Sequence, residues 1–268
     1  MTYSFQSYFL DEPIMTERVI DIFEPVANEE KTAIFFIHGG GWKAGNRKDY
    51  HKIMKSYADR GFRTASADYR LAGVNIFDQI ADVRHAYDSF VSYLKEKGKP
   101  VNILVFGASA GAHLAALLAL AAPGECGEPL EVGGRKYENE WVRPDGVALQ
   151  STPVTFIPWE EMYPHIWTSM QQIVGASYES SPELYKKVSP ANYVDKDNPP
   201  VFFMEAENEQ MFPRRMTLHM VDMLISKGVK SRCKVYRNVE HGFFYDLTRK
   251  RQEEAFIDII DFIRTIQK

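Results

Sequence analysis

Apolar and polar positions along the chain follow two rhythms. Short strand-like runs fall at Lys31–Ile37, Phe62–Ala67, Val101–Phe106, Gly146–Gln150, Pro200–Met204 and Ser231–Tyr236. Between them lie longer segments with apolar residues at helical spacing: Asp49–Arg60, Ile76–Lys97, the stretch from Ser109 to Leu120, Pro213–Lys227 and Arg249–Ile266. Lys31–Ile37 is apolar almost throughout, the pattern of a strand buried on both faces. At the start, Thr2–Leu10 and Glu17–Phe23 alternate apolar with polar residues and predict an antiparallel edge. Strands alternating with helices predict an α/β class: a mostly parallel central sheet, right-handed crossovers, and helices on both faces.

Two stretches break the rhythm. Residues at about 123–145 are polar and glycine-rich and predict a surface excursion. Residues at about 152–190 carry prolines at 153, 158, 164 and 182 among Phe156, Trp159, Tyr163 and Trp167. So long an excursion predicts a lid or substrate loop, or else a helical insertion with buried aromatics. No repeat, low-complexity tract or linker marks a second unit, so residues 1–268 are expected to form a single domain.

Composition narrows the function classes. The chain has 268 residues, is 45% apolar and 13% aromatic, and carries a net charge of −4 without basic blocks. That content can bury a substantial core, and the charge argues against nucleic acid and anionic membrane surfaces as partners. The two cysteines, Cys126 and Cys233, lie far apart and suggest neither a disulfide scaffold nor a metal cluster. No H-E-x-x-H and no P-loop is present, so no metal and no cofactor is expected. No continuous run of about 18 apolar residues occurs, and the first residues lack the pattern of a secretory signal. These features lead to the expectation of a soluble, cytoplasmic protein. Base rates alone admit a homodimer.

The strongest local signal is Val101–Leu120, VNILVFGASAGAHLAALLAL. An apolar strand turns through Gly107-Ala-Ser-Ala-Gly111 into a buried helix, which is the context of a nucleophile elbow. The glycines are expected where a Cβ would crowd the neighbouring strand or helix. Ser109 would sit strained at a helix N-terminus, where free N–H groups favour negative charge. A serine nucleophile needs an imidazole to take its proton, a carboxylate to orient that imidazole, and N–H donors facing the oxyanion. Candidates follow other predicted strands on the same edge: His38-Gly39-Gly40-Gly41, the acidic loop Glu205–Glu209, and His241.

In these motifs the chain resembles the α/β-hydrolase superfamily, over nearly its whole length. It is most similar to the esterase branch akin to hormone-sensitive lipase, with its small bacterial carboxylesterases and carbohydrate acetyl or feruloyl esterases. The carrying motifs are His38-Gly-Gly-Gly-Trp42-x-x-Gly45, Asp68-Tyr-Arg-Leu71, Gly107-Ala-Ser-Ala-Gly111 and His241-Gly-Phe243. The resemblance implies that the N–H groups of Gly40, Gly41 and Ala110 form the oxyanion hole, with His38 structural. The acid departs from the family pattern, which places an aspartate before V-P. Here Glu209 falls at the aspartate position by its register to Pro213, Glu207 is a rival, and Glu205 a third carboxylate.

The expected activity is hydrolysis of short-chain, acetyl-like carboxylic esters through an acyl-enzyme, with a small-molecule ester as partner. Trp42, Trp159, Tyr163 and Trp167 offer flat faces to a sugar or an aromatic alcohol, which extends the expectation to acetylated carbohydrates. The same scaffold hosts amide and peptide hydrolysis and non-catalytic ligand binding, and these stand as the alternatives.

Overall fold

The computed structural model describes residues 3–10, 17–27, 30–98 and 102–267. Thr2 and Val101, which open two of the expected strands, lie outside the described residues. The first strands are β1 (Tyr3–Phe9), β2 (Val19–Pro25) and β3 (Thr32–Ile37). Helix α1 (His51–Ala58) precedes β4 (Arg63–Ala67), and α2 (Ile76–Glu96) precedes β5 (Asn102–Ala108). Helix α3 (Ala110–Leu120) follows, then a small hairpin of β6 (Glu131–Val132) and β7 (Arg135–Lys136), and β8 (Gly146–Gln150). The remainder comprises α4 (Pro164–Val174), α5 (Pro182–Lys187), β9 (Val201–Asn208), α6 (Arg214–Ser226), β10 (Ser231–Glu240) and α7 (Lys250–Ile266).

Eight strands form one sheet in the order β1-β2-β4-β3-β5-β8-β9-β10. β1 and β4 both pair antiparallel with β2, and every other pairing is parallel, so β2 alone runs against the rest. The expected antiparallel edge is therefore β1 and β2. Ile37 pairs with Ala67 on one side and Gly107 on the other. β3, β4 and β5 thus end level, and their following loops emerge together. The chain leaves β3 for β4 on one flank and returns to β5 on the other. That reversal opens a crevice above the carboxyl ends of β3 and β5.

β3 is buried on both faces, as its apolar run predicts. Ala33, Phe35 and Ile37 face one core layer with α2, α3, α4 and α6, while Ile34 and Phe36 face the other with α1 and α7. Every residue of α3 is buried. The Leu117 carbonyl near its C-terminus, and those of Ala121 and Ala122 just past it, accept from the buried Arg84 guanidinium, which also pairs with Glu128. A cation there satisfies orphan carbonyls and the negative end of the helix dipole.

Two elements run longer than their apolar patterns predict. β9 continues four residues past Met204, so Glu205 is a strand residue, buried and bonded to Thr217 of α6. β10 continues to Glu240 through an irregularity after Tyr236, where Asn238 adopts φ +57°. Helix α1 starts later than predicted, because Asn46 caps a preceding 3₁₀ turn at Arg47–Tyr50. The 152–190 stretch folds as α4 and α5. Ile166, Met170, Ile173, Val174, Tyr185 and Val188 join the main core, so this insertion is anchored by its inner face.

Candidate active site

Ser109 is the residue between β5 and α3, with φ +53° and ψ −122°. A non-glycine residue at positive φ persists only where its surroundings over-determine it. Those surroundings are visible. The Ser109 N–H donates to the Gln150 carbonyl at 2.8 Å, and its carbonyl accepts from the His113 N–H at 3.0 Å. The glycines permit the sharp turn. A Cβ on Gly107 would overlap the Gly111 carbonyl, and one on Gly111 would overlap the carbonyls of Ile37 and His38. The hydroxyl makes no capping bond to its own helix, and instead lies 2.8 Å from His241 Nε2.

His241 follows the irregular end of β10. Its Nδ1 lies 2.7 Å from Glu209 Oε2. A carboxylate only accepts, so Nδ1 carries the proton and Nε2 is left bare to take one from Ser109. The Glu209 side chain is 1% exposed and that of His241 17%. Burial pushes the Glu209 carboxyl upward, but the hydrogen bond and charge of His241, with the Met211 N–H, outweigh it and hold the group below its usual range. Glu209 Oε1 accepts from the N–H groups of Met211 and Phe212, at 2.8 and 3.4 Å. The two oxygens thus have separate tasks, one gripping the loop and one facing the imidazole.

The rival carboxylates go elsewhere. Glu207 is exposed and its Oε2 accepts from the Asn238 N–H at 2.8 Å, bracing the irregularity in β10 that precedes His241. Glu205 is buried, which pushes its carboxyl up to about 8, and Thr217 donates to it.

The His38–Gly45 loop crosses the carboxyl ends of β3 and β5. Gly40 and Gly41 adopt φ +118° and +60°. The Gly40 carbonyl turns away to accept from Lys43 and Ala44. Among the described residues, the N–H groups of Gly40, Gly41 and Ala110 make no hydrogen bond within the chain, so all three are available as donors. A Cβ on Gly39 would meet the Ala108 carbonyl at 2.8 Å, the Tyr245 hydroxyl at 2.9 Å and Ser109 Cβ at 3.4 Å, which places this loop directly over Ser109. His38 is buried, stacked on Tyr69 at 4.3 Å, and its Nδ1 lies 2.8 Å from the Gly39 carbonyl. Burial lowers its pKa, so the ring is neutral and structural.

Of the expected aromatic contacts, Trp159 alone is joined to the Ser109–His241–Glu209 chain by ring contacts. It packs 6.3 Å from Phe212, whose ring is 5.7 Å from that of His241. Trp42 is a correction. Its positive φ of +63° turns the indole inward, where it is 2% exposed and bonded to His113, so it offers no face to substrate. Trp167 lies on another side of α4 and is half-buried. Its ring packs against Tyr178 and Tyr185, on the flank of α4, at 5.9 and 5.4 Å. Tyr163 is 44% exposed at the start of α4 and packs on His165. Sequence reasoning missed Phe212, although an aromatic three residues after the acid is a signal available in the sequence. It also missed Tyr245, which follows His241 by four residues.

Among the described residues, no group of three or more His, Cys, Asp or Glu side chains could hold a metal ion, and no helix is long and apolar enough to cross a membrane.

The family model described as BD-FAE matches residues 20–224. The chain is 26% identical over 218 residues to a probable carboxylic ester hydrolase, LipM, of Mycobacterium tuberculosis, covering 78% of this chain and 49% of that protein. It is 24% identical over 251 residues to the isoprenylcysteine alpha-carbonyl methylesterase ICME of Arabidopsis thaliana, covering 91% of this chain and 58% of that protein. The chain thus spans about half the length of the curated relatives it matches. Among solved structures, esterase 2 of Thermogutta terrifontis phosphonylated by sarin superposes with a TM-score of 0.81 at 18% identity, covering 99% and 96% of the two chains. The butyrate-bound structure of that esterase gives a TM-score of 0.76 at 20% identity, covering 97% and 94%. At such identities the likeness shows the fold alone, that of the α/β-hydrolases.

Proposed function

We propose, for a chain that belongs to the BD-FAE family, that its activity is the hydrolysis of short-chain carboxylic esters by a serine nucleophile. The observation that carries this reading is the continuous hydrogen-bonded chain from Ser109 through His241 to a buried, ionised Glu209. Three unengaged N–H groups beside it support the same reading.

The reaction has two halves. Ser109 Oγ attacks the ester carbonyl as His241 Nε2 takes its proton. The carbonyl oxygen becomes an oxyanion, met by the N–H groups of Gly40, Gly41 and Ala110. The positive end of α3 adds to that field. Glu209 holds the His241 ring in the required tautomer and stabilises its positive charge. His241 then gives its proton to the departing alcohol as the carbon–oxygen bond breaks, leaving an acyl group on Ser109. Water, deprotonated by the same imidazole, attacks the acyl carbon. Collapse releases the acid and returns the proton to Ser109.

The acyl group is short, acetyl-like, and acetylated carbohydrates are among the substrates. Two features support this. Trp159 and Phe212 form a row of tilted rings leading to His241, apolar surface suited to a small acyl group or to one side of a sugar ring. Butyrate is the bound molecule in the similarly folded Thermogutta esterase. The test is a series of p-nitrophenyl esters from acetyl to palmitoyl, then acetylated xylose and glucose, with Ser109→Ala as control. A rate greatest at acetyl or butyryl and abolished by Ser109→Ala is expected. Turnover of palmitoyl but not acetyl esters would overturn the short-chain reading. Ser109-dependent cleavage of anilides alone would overturn the ester reading.

A further inference from the structure

His113 lies one helical turn after Ser109 on α3, and its ring is wholly buried. Its Nε2 sits 2.7 Å from the Val188 carbonyl. A carbonyl only accepts, so Nε2 carries the proton. Burial lowers the pKa to about 4, so the ring is neutral near pH 7 and Nδ1 is a bare acceptor. Into that acceptor Trp42 Nε1 donates, at 3.3 Å.

Trp42 is the residue directly after Gly41, and its backbone is at φ +63°. Such a conformation is unfavourable for a side chain of any size and must be held from outside. Three groups hold it. Gln79 donates to its carbonyl at 2.8 Å, Phe156 packs edge-on at 5.2 Å, and His113 anchors the indole. Phe156 also packs on the His113 ring at 4.5 Å. The imidazole therefore stands between two pieces that chemistry requires in register: the loop bearing Gly40 and Gly41, and the helix bearing Ser109 and Ala110. Val188 and Phe156 belong to the 152–190 insertion, and Lys43 Nζ reaches Gln172 and Ser169 of α4 at 2.5 and 3.4 Å. The insertion thus backs the same loop from outside.

We propose that His113 is a positioning residue, whose neutral ring sets the oxyanion loop against the nucleophile helix through Trp42. The proposal rests on the reading of Gly40, Gly41 and Ala110 as oxyanion donors. It makes an asymmetric prediction, because only the Nδ1 side of the ring faces the loop. In His113→Asn, the amide oxygen takes the place of Nδ1 and keeps the bond from Trp42. In His113→Gln, the amide nitrogen takes the place of Nε2 and keeps only the bond to Val188.

The experiment compares His113→Asn, His113→Gln and Trp42→Phe with the unmodified chain. It measures kcat and KM on p-nitrophenyl acetate, and Tm alongside. His113→Asn is expected to retain kcat within about three-fold. His113→Gln and Trp42→Phe are expected to lose about 30-fold in kcat, as a displaced oxyanion loop requires. KM should hold within about three-fold, because the donors engage charge that develops in the transition state. The double variant Trp42→Phe/His113→Gln should fall no further than either single one, since both break the same link. Equal losses in the Asn and Gln variants, or kcat losses that track Tm across all three, would overturn the proposal and leave His113 an ordinary packing residue. An unmodified chain with no Ser109-dependent ester turnover would overturn the ester reading, and the proposal with it.

Discussion

Glu209→Gln isolates the role of the carboxylate with almost no change of shape. In the structure Oε1 is committed to the Met211 and Phe212 N–H groups, and Oε2 faces His241 Nδ1 at 2.7 Å. The glutamine amide has one acceptor and one donor end. With its oxygen kept on the two N–H groups, its NH₂ points at Nδ1, which must then be the bare nitrogen. The proton moves to Nε2, and Nε2 can no longer accept from Ser109. The analogous carboxylate-to-amide change in a serine protease triad lowers kcat by about 10⁴, equivalent to about 5.5 kcal/mol. Turning the amide over would restore the tautomer, but would set two buried N–H groups against an NH₂. An orphaned donor costs about 1–3 kcal/mol, so two of them disfavour the flipped form by about 2–6 kcal/mol, about 30-fold or more. Activity on p-nitrophenyl acetate at pH 8 is therefore expected to fall between about 10² and 10⁴, with the fold retained by circular dichroism. Glu207→Ala, which removes only a brace on β10, is expected to lose less than about ten-fold. A Glu209→Gln protein within about three-fold of the parent, or a Glu207→Ala protein that loses more, would refute the assignment.

Three further outcomes are expected. Glu205 keeps its proton in the folded state up to about pH 8, while the unfolded chain releases it above its ordinary value. Stability is therefore lost as pH rises from about 4 to 8, and Glu205→Gln should match the parent at pH 4 yet exceed it by about 4 kcal/mol at pH 8, read by urea unfolding. Gly111→Ala drives a Cβ into the carbonyls of Ile37 and His38, and backbone cannot yield as a flexible side chain can. It should give little folded protein on size exclusion, with a loss above about 4 kcal/mol. Trp159→Ala removes a wall next to Phe212 rather than a reacting group, so it should raise KM for aryl acetates by about ten-fold while kcat changes less.

How much of this was legible in the sequence depended on whether a residue's role was local. The elbow is local. Gly107, Ser109 and Gly111 stand in a strand-turn-helix pattern that few other backbones satisfy, and the positive φ at Ser109 follows from that spacing. The sheet was legible as well, because β3 and β5 are apolar over their lengths. The acid was harder, since Glu205, Glu207 and Glu209 lie at alternate positions and the sequence does not show where β9 ends. Once the strand runs to Asn208, Glu205 points into the core and Glu209 falls on the turn. Trp42 misled for a related reason. A tryptophan beside a glycine loop reads as a substrate contact, but its φ of +63° sends the indole into the core. Backbone sign at a single residue leaves no mark in composition or periodicity. The aromatics of 152–190 were ambiguous from the outset, and they divide between roles. Trp167 joins a tyrosine cluster while Trp159 reaches the row beside His241.

The central claim is that Ser109 is a nucleophile activated by His241, and covalent trapping tests it most directly. The chain would be incubated with diethyl p-nitrophenyl phosphate, p-nitrophenol release followed, and the product mapped by intact and peptide mass spectrometry. One equivalent of p-nitrophenol with a single diethylphosphoryl group on Ser109 is the predicted result, absent in Ser109→Ala and slowed by orders of magnitude in His241→Ala. A phosphoryl group on another residue, or labelling of Ser109 at an equal rate without His241, would contradict the account.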